Sequence, residues 1–411
     1  MNISHFGQNL GVGERAFLVK ARANEIRAQG RDVIELEIGE PDFPTPRNVC
    51  EVIKKAIDGG MTHYEVVPGN LQLRQVIANY VGKTRNIDVS PDEVLVTGGA
   101  KPAIFYSLLA LVDKGDVVLL PDPTYPVYAS VVQGIGGIPI ELPLKEENNF
   151  RLDIDGCRKS ISPIVQWTHL ERMPNYWQQK LKTKVVIYCS PQNPTGGVFT
   201  KHDLEVIAEE AERNDVRIIA DEIYSRLLYG VEHESIMSIP GAAERTVMID
   251  GFSKTYAMTG LRLGYAVVKD KEIYDAMKKV AGNDQSCVSA CIQQGGIEAL
   301  TGPQDAVEEM HSEFEKRKNV IVAGLNSIPG VRCNNPVGAF YVFPNVQGLM
   351  SAKGFERADQ LQDALLEQAY VAGLSGTAFG QYGEGHMRFS YANSIERIED
   401  AVERIRKFSE T

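Results

Sequence analysis

The sequence is poor in cysteine, in tryptophan and in positive charge, and it lacks any long apolar run. Six cysteines are scattered over 411 residues, at Cys50, Cys157, Cys189, Cys287, Cys291 and Cys333, with no C-x-x-C pair. Such scatter excludes a disulfide scaffold and a clustered zinc site, and it points to a reducing compartment such as the cytoplasm. Lys and Arg number 43 against 54 Asp and Glu, a net charge of −11. The basic footprint that sequence-independent nucleic-acid binding requires is missing. A local pocket can still oppose the global sign, so anionic small ligands stay open. The longest apolar run, Ala103 to Val112, is broken by Tyr106 and Ser107. It falls far short of the roughly 20 residues of a membrane span. Met1 to His5 show no basic stretch leading into an apolar one, so no secretory leader is expected. The expectation is an acidic cytoplasmic chain with no nucleic-acid, membrane or metal partner.

What is present is ordinary globular material, 43% apolar and 24% charged, enough for a sizeable core. Short β-rich runs (Val94–Thr97, Asp116–Leu120, Lys184–Ser190, Arg217–Ala220, Thr246–Asp250, Gly264–Val268) alternate with helical stretches such as Lys101–Val112 and His202–Asn214. Several runs are apolar throughout, as strands buried on both faces are. This predicts an α/β fold with a mostly parallel sheet in a large domain, residues 46–283. Residues 284–411 read as a smaller α+β unit, with a helix over Asp305–Asn326 and short strands near Val331–Cys333, Ala339–Phe343 and Met387–Tyr391. Residues 1–45, with one helix (Glu14–Gln29) and a strand (Val33–Ile38), are too few for a domain and are expected to join that unit.

Ligands of parallel sheets bind where the strands end at their carboxyl side, so the loops there are the place to look. They carry, in order, Gly98-Gly99-Ala100-Lys101 at a helix start, Ser190-Pro-Gln-Asn193-Pro-Thr-Gly196, Asp221-Glu-Ile-Tyr224, and Ser253-Lys254-Thr255 with Arg262 beyond. Singly, each is bland: a glycine-rich helix start, a turn, a helix cap, a surface lysine. Cys287 and Cys291, four apart on one predicted helix face, read as core. No phosphate-binding G-x-x-x-x-G-K-[ST] loop, no G-x-S-x-G elbow and no H-E-x-x-H pair occurs.

Taken together, these segments resemble the class I and II aminotransferases, the pyridoxal-phosphate enzymes of fold type I. The resemblance rests on the four loops, on Glu37-Ile-Gly-Glu-Pro-Asp-Phe43 and on His386-Met-Arg-Phe-Ser-Tyr391. It implies pyridoxal 5'-phosphate as cofactor and amino acids with 2-oxo acids as partners. Lys254 is then the lysine that bonds the cofactor aldehyde and later shuttles the Cα proton, and Asp221 keeps the ring nitrogen protonated. Tyr224 and Asn193 face the ring oxygen, and Tyr125 stacks on the ring. Gly99, Ala100 and Lys101, with Ser253 and Arg262, hold the phosphate. Tyr64 reaches the phosphate of a neighbouring copy, which implies a homodimer. Arg388 forks the substrate α-carboxylate, assisted by Gly39 and Asn193.

Lys101 resembles the lysine that pairs a distal carboxylate in some bacterial aspartate aminotransferases, which favours aspartate as donor and 2-oxoglutarate as acceptor. Where those enzymes often carry small hydroxyl residues, this chain has Gly13-Glu14-Arg15-Ala16; Arg15 could serve a carboxylate and Glu14 could repel one. Aromatic or alanine aminotransferase, β-lyase, racemase and a non-catalytic cofactor sensor are the alternatives. A sensor is disfavoured because no DNA-binding segment precedes the domain. About 18 residues, Ile164–Leu181, interrupt the family pattern and hold both tryptophans, Trp167 and Trp177. Preceding a strand, they are expected at the amino end of the sheet, away from the cofactor.

Overall fold

The computed structural model describes residues 3–11, 15–161 and 183–411; the insert 164–181 and Glu14 lie outside the described residues. Strand β1 (Ile34–Glu35) stands apart from the main sheet. That sheet has seven strands, β2 (Val94–Thr97), β3 (Val117–Asp122), β4 (Ile138–Pro143), β5 (Thr183–Cys189), β6 (Arg217–Asp221), β7 (Thr246–Gly251) and β8 (Gly264–Val268), in the order β2-β8-β7-β6-β5-β3-β4. Only β8 runs antiparallel to its neighbours. The remaining strands are β9 (Tyr341–Val342), β10 (Val371–Ala372), β11 (Leu374–Ser375) and β12 (Met387–Ser390).

Strand alternation assigns the continuous apolar runs to two cores. Val118 and Leu120 of β3, Val185 and Ile187 of β5 and Ile219 of β6 pack into one. Val117, Leu119, Val186, Tyr188, Ile218 and Ala220 pack into the other. A sheet covered on both faces leaves only its strand ends open to a ligand.

The two ends of the chain meet. Ile34 and Glu35 of β1 pair in parallel with Val371 and Ala372 of β10. The carbonyl of Leu36 accepts the N–H of Ser390, which joins this ladder to β12 in the β11-β12-β9 sheet. Several expected elements are shorter or absent. Val33–Ile38 shrinks to two paired residues, Ala339–Phe343 to Tyr341–Val342, and Val331–Cys333 to one bridge between Arg332 and Asn345. Ala339, at φ +56, breaks the extended run before β9. Cys287 precedes the helix Ala290–Thr301 rather than sharing a face of it with Cys291. The expected helix over Glu14–Gln29 is Ala16–Ala28, and β4 adds a strand that sequence reading missed.

Beneath the sheet end, Arg85 donates from Nε to Glu222 Oε2 (3.0 Å) and from Nη2 to Asp250 Oδ2 (2.9 Å). Glu222 also meets His233 Nε2 (2.9 Å) and the Ser235 hydroxyl (2.5 Å). Burial alone would push the Glu222 carboxyl up; His233 and Arg85 outweigh it and hold the group at about 2. A carboxyl held below its ordinary value stabilises the fold above that value, and the contribution fades as pH falls towards about 2. Glu222→Gln should therefore cost about 3 kcal/mol at pH 7, the loss typical of a broken buried pair. In denaturant titrations the gap to the parent should narrow from pH 5 to pH 3; a constant gap would contradict the assignment.

Candidate active site

A cavity of about 460 Å³ opens where β3, β5, β6 and β7 end and the small-sheet strands approach. Gly39, Ala100, Lys101 and Tyr125 line it on one part of the wall, and Asn193, Asp221 and Tyr224 on another. Ser253, Lys254, Arg262 and Arg388 complete the set. Gly99 sits directly behind Arg262. Tyr64 lies outside the cavity, its residue surface 89% exposed. Arg15 precedes the helix Ala16–Ala28 and does not line the cavity, whereas Phe17 does.

The cationic end is built by close backbone approach. Gly99, at φ +108, begins the helix Ala100–Leu111, and a Cβ there would stand 2.6 Å from Arg262 Nη2. Arg262 itself has φ +55 and donates from Nη1 to the Thr259 carbonyl (2.9 Å). An exposed guanidinium beside the N-terminus of a helix suits a dianion such as a phosphate group. Lys101 Nζ lies 5.9 Å from the centre of the Tyr125 ring.

The acidic end is Asp221, last residue of β6 and buried. Its Oδ2 accepts the Tyr128 hydroxyl (2.6 Å) and its Oδ1 the Ile223 N–H (3.2 Å). Burial pushes the carboxyl up to about 6 against those two donors. Nothing on these partners is charged, so a cationic ligand atom beside Asp221 would recover the cost of burial.

Between them stands Lys254, whose Nζ donates to the Gly39 carbonyl at 2.6 Å. Gly39 admits no side chain: a Cβ would fall 2.0 Å from Tyr341 Oη. Tyr341 Oη is hydrogen-bonded to Tyr224 Oη (2.8 Å). Burial first, then the Tyr341 hydroxyl, push the Tyr224 phenol well above its ordinary value.

Arg388 reaches the cavity from β12. Its Nη1 donates to Asn193 Oδ1 (2.9 Å) and its Nη2 to the Glu37 carbonyl. The guanidinium carbon lies 4.5 Å from the ring centre of Tyr341 and 4.7 Å from that of Phe379. Its Nε is buried and makes no hydrogen bond among the described residues, so the group keeps donor capacity for an anion. Sequence reading missed Tyr128, Tyr341, Phe379 and Phe17. Tyr128 had a signal, lying one helical turn beyond Tyr125; the other three arrive from remote elements.

A family model described as aminotransferase class I and II matches residues 31–405. The chain belongs to the class I and II aminotransferases. An aspartate aminotransferase of Pyrococcus abyssi is 39% identical over 93% of both chains. An aromatic-amino-acid aminotransferase of Thermococcus litoralis is 38% identical over 92% of both. The solved aspartate aminotransferase from Thermus thermophilus with maleate is 33% identical, covers 99% of both chains and superposes with a TM-score of 0.89. An alanine aminotransferase from Pyrococcus furiosus gives 0.90 at 32% identity, over the full length of both. The architecture of this aminotransferase is accordingly fold type I. Among the described residues, no cluster is able to hold a metal ion and no helix is long and apolar enough to cross a membrane.

The hydroxyl of Tyr128 holds the Asp221 carboxyl down against burial. Tyr128→Phe in this aminotransferase should raise the Asp221 pKa above its present value of about 6. Carboxyl titration of the cofactor-free protein by ¹³C NMR reads this directly, and a downward shift would refute the role of the hydroxyl.

Proposed function

We propose that the chain is a pyridoxal-phosphate-dependent aspartate aminotransferase that passes the amino group of aspartate to 2-oxoglutarate in ping-pong fashion. One observation carries the reading: a single cavity brings together a lysine amine, a buried carboxylate and a clasped arginine. Its 460 Å³ falls within the roughly 300–1,000 Å³ of cofactor pockets. The residues fit the cofactor. Arg262, Ser253 and the N–H groups at Ala100 and Lys101, reached past Gly99, would hold its phosphate. Asp221 would face the ring nitrogen, Tyr125 the ring, and Tyr224 with Asn193 the ring oxygen. Bound there, pyridoxal phosphate supplies an aldehyde for the amino group and a ring that accepts the electron pair left at Cα.

The chain does the rest. Arg388 orients the substrate through its α-carboxylate, with Gly39 and Asn193 beside it, as a planar fork does and an ammonium does not. Lys254 Nζ, placed to move a proton within the cavity, would take the one at the substrate Cα and hold it for return. Lys101 pairs with the distal carboxylate; the Thermus thermophilus relative was solved with maleate, a dicarboxylate, which supports such a donor class. The exposure of Tyr64 supports a homodimer in which it serves the second copy. Residues 46–283 would form the cofactor domain, and residues 1–45 with 284–411 the smaller one. A second reading rests on Phe17: an aromatic residue in the cavity wall favours an aromatic or aliphatic donor, as in the Thermococcus relative's name.

Lys254→Ala should abolish transamination of every donor; retained turnover would remove the central assignment. A donor panel with 2-oxoglutarate, scored for new glutamate, separates the two substrate readings. Lys101→Ala should reduce kcat/KM for aspartate about tenfold or more while alanine loses little, because a charge-assisted pair contributes about 1.5–3 kcal/mol. Equal losses for both donors would restrict Lys101 to its backbone.

A further inference from the structure

The aromatic cover of Arg388 is held from the main sheet by residues the reaction itself does not use. Phe379 ends the short helical turn Gly376–Phe379, and its carbonyl accepts the Thr124 N–H at 2.8 Å, just beyond β3. The next residue, Gly380, has φ +135, and a Cβ there would stand 2.0 Å from Asp122 Oδ1. Only glycine lets the chain settle so closely on that carboxylate. Asp122, last residue of β3, is 1% exposed. Its Oδ2 accepts the Gln381 N–H (2.9 Å) and its Oδ1 the Tyr382 N–H (3.3 Å). Gln381 Nε2 adds a bond to Glu141 Oε2 on β4 (2.7 Å). A buried carboxylate is thus spent on two backbone N–H groups of a turn over 250 residues away in sequence.

We propose that Asp122 is a positioning residue for the α-carboxylate clamp: by docking the turn 380–382 on the end of β3 it holds Phe379 against the Arg388 guanidinium. The inference rests on the clamp role assigned to Arg388. A fork grips a carboxylate through two parallel bonds only while its plane is fixed. That plane is fixed by the bonds to Asn193 and Glu37 and by the rings of Tyr341 and Phe379. Without Asp122 the turn keeps only the Thr124 and Glu141 bonds, Phe379 withdraws, water reaches the guanidinium and the fork loosens. Asp122 does not line the cavity and acts through Arg388 alone.

The test uses the full-length holoenzyme. Asp122→Ala should raise KM for amino-acid donors and for 2-oxo acids alike, by about tenfold, with kcat within about threefold of the parent. Phe379→Leu, which keeps every backbone bond of the turn, should give the same split. It carries the test if Asp122→Ala does not fold. Asp122→Asn, which keeps one acceptor oxygen, should fall between. In an Arg388→Lys background, Asp122→Ala should add little, because its route of action is already gone. Additive losses in that double variant overturn the inference, as do unchanged KM values in Asp122→Ala and Phe379→Leu where Arg388→Lys alone raises KM. Arg388→Lys without effect on any KM would instead overturn the clamp reading on which the inference stands.

Discussion

The clasp on Arg388 is the constraint to which the rest of the site answers. A guanidinium buried this deeply costs several kcal/mol unless its N–H groups and its faces are satisfied. Four other parts of the chain meet to satisfy it: Asn193 from the loop after β5, the Glu37 carbonyl from the segment after β1, and aromatic rings from β9 and from the turn before Gly380. Once these are tied to one side chain on β12, the small-sheet strands have a fixed position over the ends of the main sheet. The Gly39 carbonyl then falls within reach of Lys254. Arginine is required because its planar array of donors serves several acceptors in fixed directions.

Two neighbouring carboxyls show how finely the strand ends divide labour. Asp221 and Glu222 are adjacent in sequence, and both are buried. One is pushed up to about 6 and the other held at about 2. Burial acts on both in the same direction, so their partners decide. Asp221 has a phenol and a backbone N–H, both neutral; Glu222 has a guanidinium and an imidazole. Leaving a strand end, consecutive side chains diverge, so one carboxyl reaches the cavity and the other the structural network behind it. The net charge of −11 foretold neither.

The main sheet was legible because six of its strands are nearly uninterrupted apolar runs, and the loops after them carry residues that are conspicuous in combination. Lys254, Asp221 and Asn193 line one cavity because each lies at the end of such a strand or just beyond it, and Arg388 joins them from β12. β4 escaped because Ile138-Pro-Ile-Glu-Leu-Pro143 contains two prolines, a pattern that argues against a strand except at an edge, which is where β4 lies. The two-residue strands escaped because pairing with remote segments, and not local pattern, ends them. Tyr341 and Phe379 look like any core aromatic in sequence; their place beside Arg388 depends on how β9 and the turn at Gly376–Phe379 fold back, which no local spacing records. The insert 164–181 falls outside the described residues.

The pairing of β1 with β10 also fixes an order of events. Ile34 leaves the ribosome early and its partner Val371 late, with about 20 to 70 s between them at roughly 5–20 residues per second. Throughout that interval the Leu36 and Glu37 carbonyls have nothing from the chain's end to receive, while the strands of the main sheet can already associate. The cavity therefore cannot be completed until Arg388 has emerged. A nascent or prematurely ended chain can own a nearly full sheet and yet lack the arginine that closes its cavity. Chemical competence is in this way withheld until almost the whole chain has emerged.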